Sequence, residues 1–404
     1  MRSGGVDVVD GYAFANGFVN VLATLPTGTR VATAGRCGGM AYSVLDHALA
    51  GRDVPAWDPH LFAPGRVPPD GHVVADHLAR RQLDSFRTPS ALRFLTWSVL
   101  PDADLGPVAG VRTRTRRELP GVLRAVTQGR PVVLGMVVAR SLLRSGDNHQ
   151  VVATGFVRED DALTLTVHDP NSPGRAVTLV ETSDGWHASN GRLWRGFFRH
   201  AYAPRTPPPL PSASRRPRAA VRAGAPVALV HVATGRLLVV DDDRPALATT
   251  APATGSSWTP ALADGDARPP TDGDAVHFRW DPPAGTGHLR AEPQGATGVS
   301  AGAGAVRDGR HLTVVDGEPA VATGRGEGEA THHRDEPSAH VAGVEAGSPG
   351  WTLVVDGGGA WREGSRIRLV HAATGALLAG SRTGPATTFT PDASTWWTVA
   401  APSD

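Results

Sequence analysis

One cysteine occurs in the 404 residues, and it stands in Gly35-Arg36-Cys37-Gly38-Gly39-Met40, directly before a stretch of helical period. A thiol at a helix start meets the positive end of the helix dipole, which favours the thiolate, the nucleophilic form. Further on, Asp147-Asn148-His149-Gln150 opens one strand-like run and Val167-His168-Asp169-Pro170-Asn171 closes the next. Cysteine, histidine and acid in that order supply a nucleophile, a base and an orienter for acyl transfer. In this assignment Cys37 attacks, His149 serves as general base and then general acid, and Asp169 holds the imidazole tautomer, with Asn171 as the alternative orienter. Arg36 is a candidate stabiliser of the thiolate. The Cys37 amide is a candidate oxyanion donor.

These residues need elements to hold them. From Cys37 to Ala50, Met40, Val44 and Ala48 fall on one face with Tyr42, Leu45 and Leu49 nearby, which predicts a helix ending at Gly51. Residues 73–86 and 119–126 also read as helices, with Pro120 near the start of the second. The unbroken apolar run 131–138 predicts a buried central strand, and 151–157 and 163–167 two more, joined by the polar turn Arg158-Glu159-Asp160-Asp161. Antiparallel partners have numbers with a constant sum, so a turn centred near 159 to 160 puts His149 opposite Asp169 or one residue away. Leu163, Leu165 and Val167 share the alternating face of Asp169, which directs that acid inward, where it needs a partner.

Composition sets wide bounds. With 40% hydrophobic and 20% charged residues the chain can bury more than one core, and a formal net charge of +1 favours neither nucleic acid nor an anionic membrane. All 40 basic residues are arginine; lysine is absent, which together with 48 Gly and 34 Pro fits a GC-rich coding bias. A single cysteine excludes an intrachain disulfide framework and the usual cysteine-rich zinc modules. No cofactor or metal is implied by the site. Met1 to Asp7 has no apolar signal core, and no run is long enough to span a bilayer, so the expected location is cytoplasmic, other export routes aside.

Gly-Arg-Cys37-Gly-Gly-Met, Asp-Asn-His149-Gln-Val-Val-Ala-Thr-Gly and His-Asp169-Pro-Asn-Ser-Pro-Gly together resemble the papain-like superfamily, in particular bacterial domains similar to the bacteriocin-processing double-glycine peptidases. The resemblance spans about residues 10 to 202. It implies a papain-like α+β domain, a Cys37-His149-Asp169 triad and a peptide or amide substrate. Such peptidases usually carry an oxyanion glutamine a few residues before the cysteine; residues 29–36 contain none, which makes Asn16 and Asn20 the candidates for that role. The expected function is a cysteine-dependent hydrolase, a peptidase or an amidase. Two alternatives stay open: a catalytically inactive papain-like domain in a glycan- or protein-binding protein, and an acyl transferase using the same triad.

Residues 205–219 are rich in proline and arginine without an apolar period, and read as a semi-extended linker between a first domain, 1–204, and a second, 220–404. The second domain repeats itself: Leu229-Val230-His231-Val232-Ala233-Thr234-Gly235-Arg236-Leu237-Leu238 returns as Leu369-Val370-His371-Ala372-Ala373-Thr374-Gly375-Ala376-Leu377-Leu378, and a weaker copy runs from Phe278-Arg279-Trp280 through Gly287-His288-Leu289. Trp258, Trp351 and Trp396-Trp397 close the three segments. This resembles a β-trefoil of MIR or ricin type, and the resemblance implies an all-β binding module for a glycan or protein ligand. No Gln-x-Trp motif occurs, so the tryptophans are assigned to the core. His231 and His371 are read as hairpin residues, and His332-His333-Arg334-Asp335-Glu336 as a solvated loop rather than a metal site.

Overall fold

The computed structural model describes residues 2–5, 11–24, 30–159, 162–213, 219–241, 244–249, 257–280, 287–291, 312–316, 350–372, 375–381, 384–388 and 390–400. The chain divides into two compact units, Met1–Pro68 with Val74–Pro208, and Pro69–Val73 with Pro209–Asp404. The division after Pro208 lies inside the expected linker. Residues 69–73 join the second unit because Val73 N–H donates to Thr234 O at 2.9 Å, while Gly235, at φ +66°, leaves the space that His72 fills.

The first unit is mixed. Its elements are β1 (Arg2–Gly5), β2 (Val19–Thr24), β3 (Arg30–Ala34), α1 (Cys37–Leu49), α2 (Val73–Phe86), α3 (Pro89–Val99), α4 (Val111–Thr127), β4 (Val132–Val137), β5 (His149–Glu159), β6 (Ala162–His168), β7 (Ala176–Glu181), β8 (Trp186–Ala188), β9 (Leu193–Trp194) and β10 (Gly196–Arg199). An antiparallel sheet runs β10-β4-β5-β6-β7-β8-β9, with β1 on the outer half of β5. Alternation along the strands gives it two apolar faces. Val133 and Val152 meet Ala41, Tyr42 and Leu45 of α1. Leu134, Met136, Val151 and Ala153 meet Val122 and Val126 of α4.

Two elements differ from the sequence reading. Helix α4 begins at Val111 rather than Leu119, so Pro120 sits in the helix interior instead of near its start. Val111 and Thr115 bury this first half, whose other residues are mostly Arg and Thr and show no apolar period. Helix α3 is absent from the sequence reading: beyond Pro89 in its first turn its pattern misleads, since Leu92, Leu95 and Val99 are exposed while Ser90, Phe94, Trp97 and Ser98 are buried. The expected linker also begins later. Arg205 N–H donates to Asp46 Oδ1 at 2.9 Å and Pro207 O accepts from Arg52, which fastens residues 205–207 to the first unit. Residues 214–218 of that segment lie outside the described residues.

Among the described residues the second unit is built of β-strands, with one 3-10 turn at Ala393–Thr395. Its strands form three sets of four: β11 (Ala228–His231), β12 (Leu237–Asp241), β13 (Arg244–Ala248) and β14 (Thr259–Leu262); β15 (Ala275–Trp280), β16 (Gly287–Ala291), β17 (Leu312–Asp316) and β18 (Trp351–Val355); β19 (Ile367–His371), β20 (Leu377–Gly380), β21 (Pro385–Thr388) and β22 (Trp397–Ala400). The first and last strands of each set pair in the cycle β11-β14-β15-β18-β19-β22-β11, closed by the Val227–Trp258 bridge. The two middle strands form a hairpin in every set. A closed six-strand barrel with three hairpins is a β-trefoil-like arrangement. Equivalent tryptophans mark the repeat: Trp258, Trp351 and Trp397 are fully buried, and their Nε1–H groups donate to Leu238 O, Leu289 O and Leu378 O. The core assigned to them from sequence is where they sit.

Candidate active site

The first turn of α1 exposes N–H groups that have no partner within the helix. Here they are distributed among different acceptors. Met40 N–H returns to Arg36 O, and Gly39 N–H donates to Gln82 Oε1 at 2.8 Å. Gly38 N–H and Gln150 N–H both donate to the Cys37 sulfur. Cys37 N–H has no partner among the described residues. Close packing around this turn excludes side chains: a Cβ on Gly39 would lie 2.1 Å from Leu78 O, and one on Gly38 2.5 Å from Gln150 Nε2.

His149 opens β5 and is buried, as is Asp169. Its Nε2 lies 2.7 Å from Asp169 Oδ1, so Nε2–H donates to the carboxylate and Nδ1 is left for the hydrogen bond between His149 and the Cys37 thiol. Burial by itself would raise the Cys37 pKa. The His149 charge, the His149 hydrogen bond and the two backbone N–H groups outweigh burial and bring it below the ordinary thiol value. Burial would depress His149, but the facing sulfur and Asp169 raise it to about 10. Asp169, despite burial, is held below the usual carboxylate range by His149, the Asn171 N–H and the Asn190 amide. Both shifts favour the thiolate–imidazolium form of the pair over the neutral one. The Trp194 ring stacks on His149 at 5.8 Å between centroids and 10° between planes, shielding the imidazole from water.

The strand register corrects the route by which Asp169 reaches His149. Val152 pairs with His168, and Glu159 with Ala162, with a bulge between Ala153 and Gly155. The turn is centred past residue 160, so the ladder sets Asn171, not Asp169, level with His149. Asp169 lies just beyond the end of β6, in a turn closed by Ser172 N–H on Asp169 O, and its side chain reaches back to the ring. Asn171 arrives as well: its Nδ2 lies 3.2 Å from His149 Nε2, and its N–H donates to Asp169 Oδ1 at 2.8 Å. Both candidate orienters thus meet the same imidazole nitrogen.

Asn16 is fixed at the foot of α1. Its Oδ1 accepts Arg36 N–H at 2.5 Å and its own N–H donates to Pro170 O, linking its loop to the Asp169 loop. With Oδ1 committed to Arg36, Nδ2 is the remaining donor of the amide, packed beside Gly35. The side chain of Asn20, in β2, lies outside the described residues. Arg36 is directed elsewhere than the sequence reading placed it. Its guanidinium donates to Ala75 O at 2.9 Å and lies over the Phe18 ring, and the charge acting on the thiol is that of His149.

Gln82, Asn190 and Trp194 escaped the sequence reading. Each is far from its partner in the chain and belongs to no motif. Among the described residues no group of three His, Cys, Asp or Glu side chains could hold a metal ion, and no helix is long and apolar enough to cross a membrane. The cluster 332–336 lies outside the described residues. In the second unit, His231 is hydrogen-bonded to Thr234 Oγ1 and Ser394 O and packs on Trp397, and His371 packs on Trp351.

No family model matches the chain, and no curated protein matches it. Among solved structures it is similar to an SDF2-like protein from Arabidopsis thaliana, with 16% identity over 45% of this chain and 95% of that one, at a TM-score of 0.30. A Caenorhabditis elegans protein of unknown function gives 15% identity over 45% and 96%, also at 0.30. The binding domain of botulinum neurotoxin serotype C1 gives 8% identity over 63% and 71%, at 0.29. Likenesses this low define neither fold nor function for the chain.

Proposed function

We propose that the first unit is a thiol-dependent acyl-transfer enzyme, a hydrolase of peptide or amide bonds. More particularly, we read it as a papain-like peptidase domain similar to those that process bacteriocin precursors, followed by a β-trefoil of MIR or ricin type that binds a glycan or protein target. The observation that carries the reading is the convergence on α1 of Cys37, His149 and Asp169, with Nε2 committed to the acid and Nδ1 turned to sulfur.

The chemistry follows from these positions. The Cys37 thiolate attacks the carbonyl carbon; the developing oxyanion is met by Cys37 N–H and Asn16 Nδ2, the two donors left unspent at the helix start. His149 delivers its proton to the departing amine, and then takes a proton from the water that cleaves the thioester. An amine in place of that water makes the same site an acyl transferase.

Labelling with iodoacetamide tests the thiolate, and a quenched-peptide library tests turnover. The wild-type protein should react faster than a free exposed thiol at pH 6, and His149→Ala should remove that advantage. Equal rates for the two proteins would defeat the reading. Turnover of amide substrates lost in Cys37→Ala supports hydrolysis, whereas products formed only with added amine support transfer.

A further inference from the structure

Asp169 has two oxygens, and only one faces the histidine. Oδ1 accepts from His149 Nε2 and from the Asn171 N–H. Oδ2 accepts from Asn190 Nδ2 at 2.9 Å, and the same amide nitrogen donates to Ser172 Oγ at 3.1 Å. Asn190 sits at the tip of the turn after β8. That turn is braced by Gly191 N–H on Ala188 O, Ala188 N–H on Arg192 O and Ser189 N–H on Thr178 O. Chemistry fixes the direction of the amide, since the reverse orientation would aim its oxygen at a carboxylate. Its Oδ1 has no hydrogen-bond partner among the described residues, so the side chain is held by the Asp169–Ser172 pair alone.

We propose that Asn190 is the positioning residue of the acid: it pins Asp169 Oδ2 so that Oδ1 is presented to His149 Nε2. The proposal rests on the thiolate reading above. Asp169 is 3% exposed, so water cannot replace the lost donor readily. Without Asn190 the carboxylate is free to turn about its Cβ–Cγ bond, and the imidazolium it holds is free to turn away from the sulfur. The thiolate then loses part of the charge that faces it, and the acid limb of Cys37 reactivity moves to higher pH.

The experiment measures the iodoacetamide rate of the full chain against pH for the wild type, His149→Ala, Asn190→Leu and Asn190→Gln. Leucine keeps the volume and removes the donor; glutamine keeps a donor. Asn190→Leu should move the acid limb up by about half a pH unit or more, a roughly three-fold lower rate on the limb, with the plateau at high pH retained. Asn190→Gln should move it less. A limb unmoved in Asn190→Leu, or moved equally in both variants, overturns the positioning role while the His149 dependence of the wild type leaves the thiolate reading standing. A wild-type profile indifferent to His149→Ala overturns both. Should Asn190→Leu fail to fold, Ser172→Ala removes the amide's second acceptor without touching Asp169. It should move the limb the same way by a smaller amount, and no movement defeats the proposal.

Discussion

At the scale of single residues the two candidate orienters make different contacts. Asp169 offers a carboxylate oxygen at 2.7 Å, whereas Asn171 steadies that oxygen chiefly through its backbone N–H, which any substitution except proline retains. Asp169→Ala should therefore slow Cys37 labelling and any turnover strongly. The loss should stay below the roughly 10⁴ seen when a serine triad loses its acid, because in the proposed mechanism the thiolate forms before attack and needs less help from the acid. Asn171→Ala should cost less than ten-fold, on the order of one hydrogen bond. Rates for the two variants decide the matter, and a larger loss for Asn171→Ala would exchange their roles. Cys37, His149 and Asp169 were legible in the sequence because each lies in a local motif at the end of a regular element. The expected register was wrong because the Glu159–Ala162 pair centres the hairpin past residue 160; the bulge at Ala153/Gly155, which a pattern of alternating side chains does not show, only moves the position level with His149 from 172 to 171.

At the scale of elements, α1 is placed by absence of side chains as much as by their presence. Gly39 lets the α2 backbone approach, and there the obstacle to a Cβ is the Leu78 carbonyl, which cannot move alone. Gly39→Ala should destabilise the protein by about 1–3 kcal/mol in urea unfolding, overriding the gain in helix propensity. At Gly38 the obstacles are the Gln150 amide and the Ser85 hydroxyl, the ends of side chains. Gly38→Ala should cost less stability and disturb Cys37 reactivity more. The period of α1 and of the start of α2 was readable because Met40, Val44, Leu45, Val74 and Leu78 are buried, although both helices also bury polar side chains, Ser43, Asp46 and His47 in α1 and His77, Arg81, Gln82 and Ser85 in α2. The Gln82 cap was not, since a polar residue that satisfies a distant N–H looks like any solvated helix position. The same limit hid the strap at residues 202–207. Its anchor is Asp46, buried against Arg81 at 2.7 Å and bonded to Tyr202 and Arg205, and no linker composition reports that. Asp46→Ala should cost about 1.5–3 kcal/mol in urea unfolding, because the buried Arg81 Nε loses its carboxylate while Asp84 still pairs with Nη1.

At the scale of the whole molecule, both units bury neutral histidines. Burial lowers His77 and His200 of the first unit to about 4, and His231 of the second to about 4; it lowers His72 to about 3. Around His77 stand His47, Arg80 and Arg81, which add to the depression, while His231 faces Asp392 and the Ser394 carbonyl, which oppose it without reversing it. An unfolded histidine takes its proton near 6.5, so between 6.5 and 4 the unfolded state binds more protons than the folded one. Stability from these groups is complete above pH 6.5 and falls on acidification by up to about 1.4 kcal/mol per pH unit for each histidine. The urea midpoint should accordingly hold steady between pH 7 and 8 and drop steeply from 6.5 toward 4. Replacing His77 by Gln, which cannot ionise, should lessen that drop, and a midpoint unchanged down to pH 4.5 would mean that the buried histidines take up protons without unfolding.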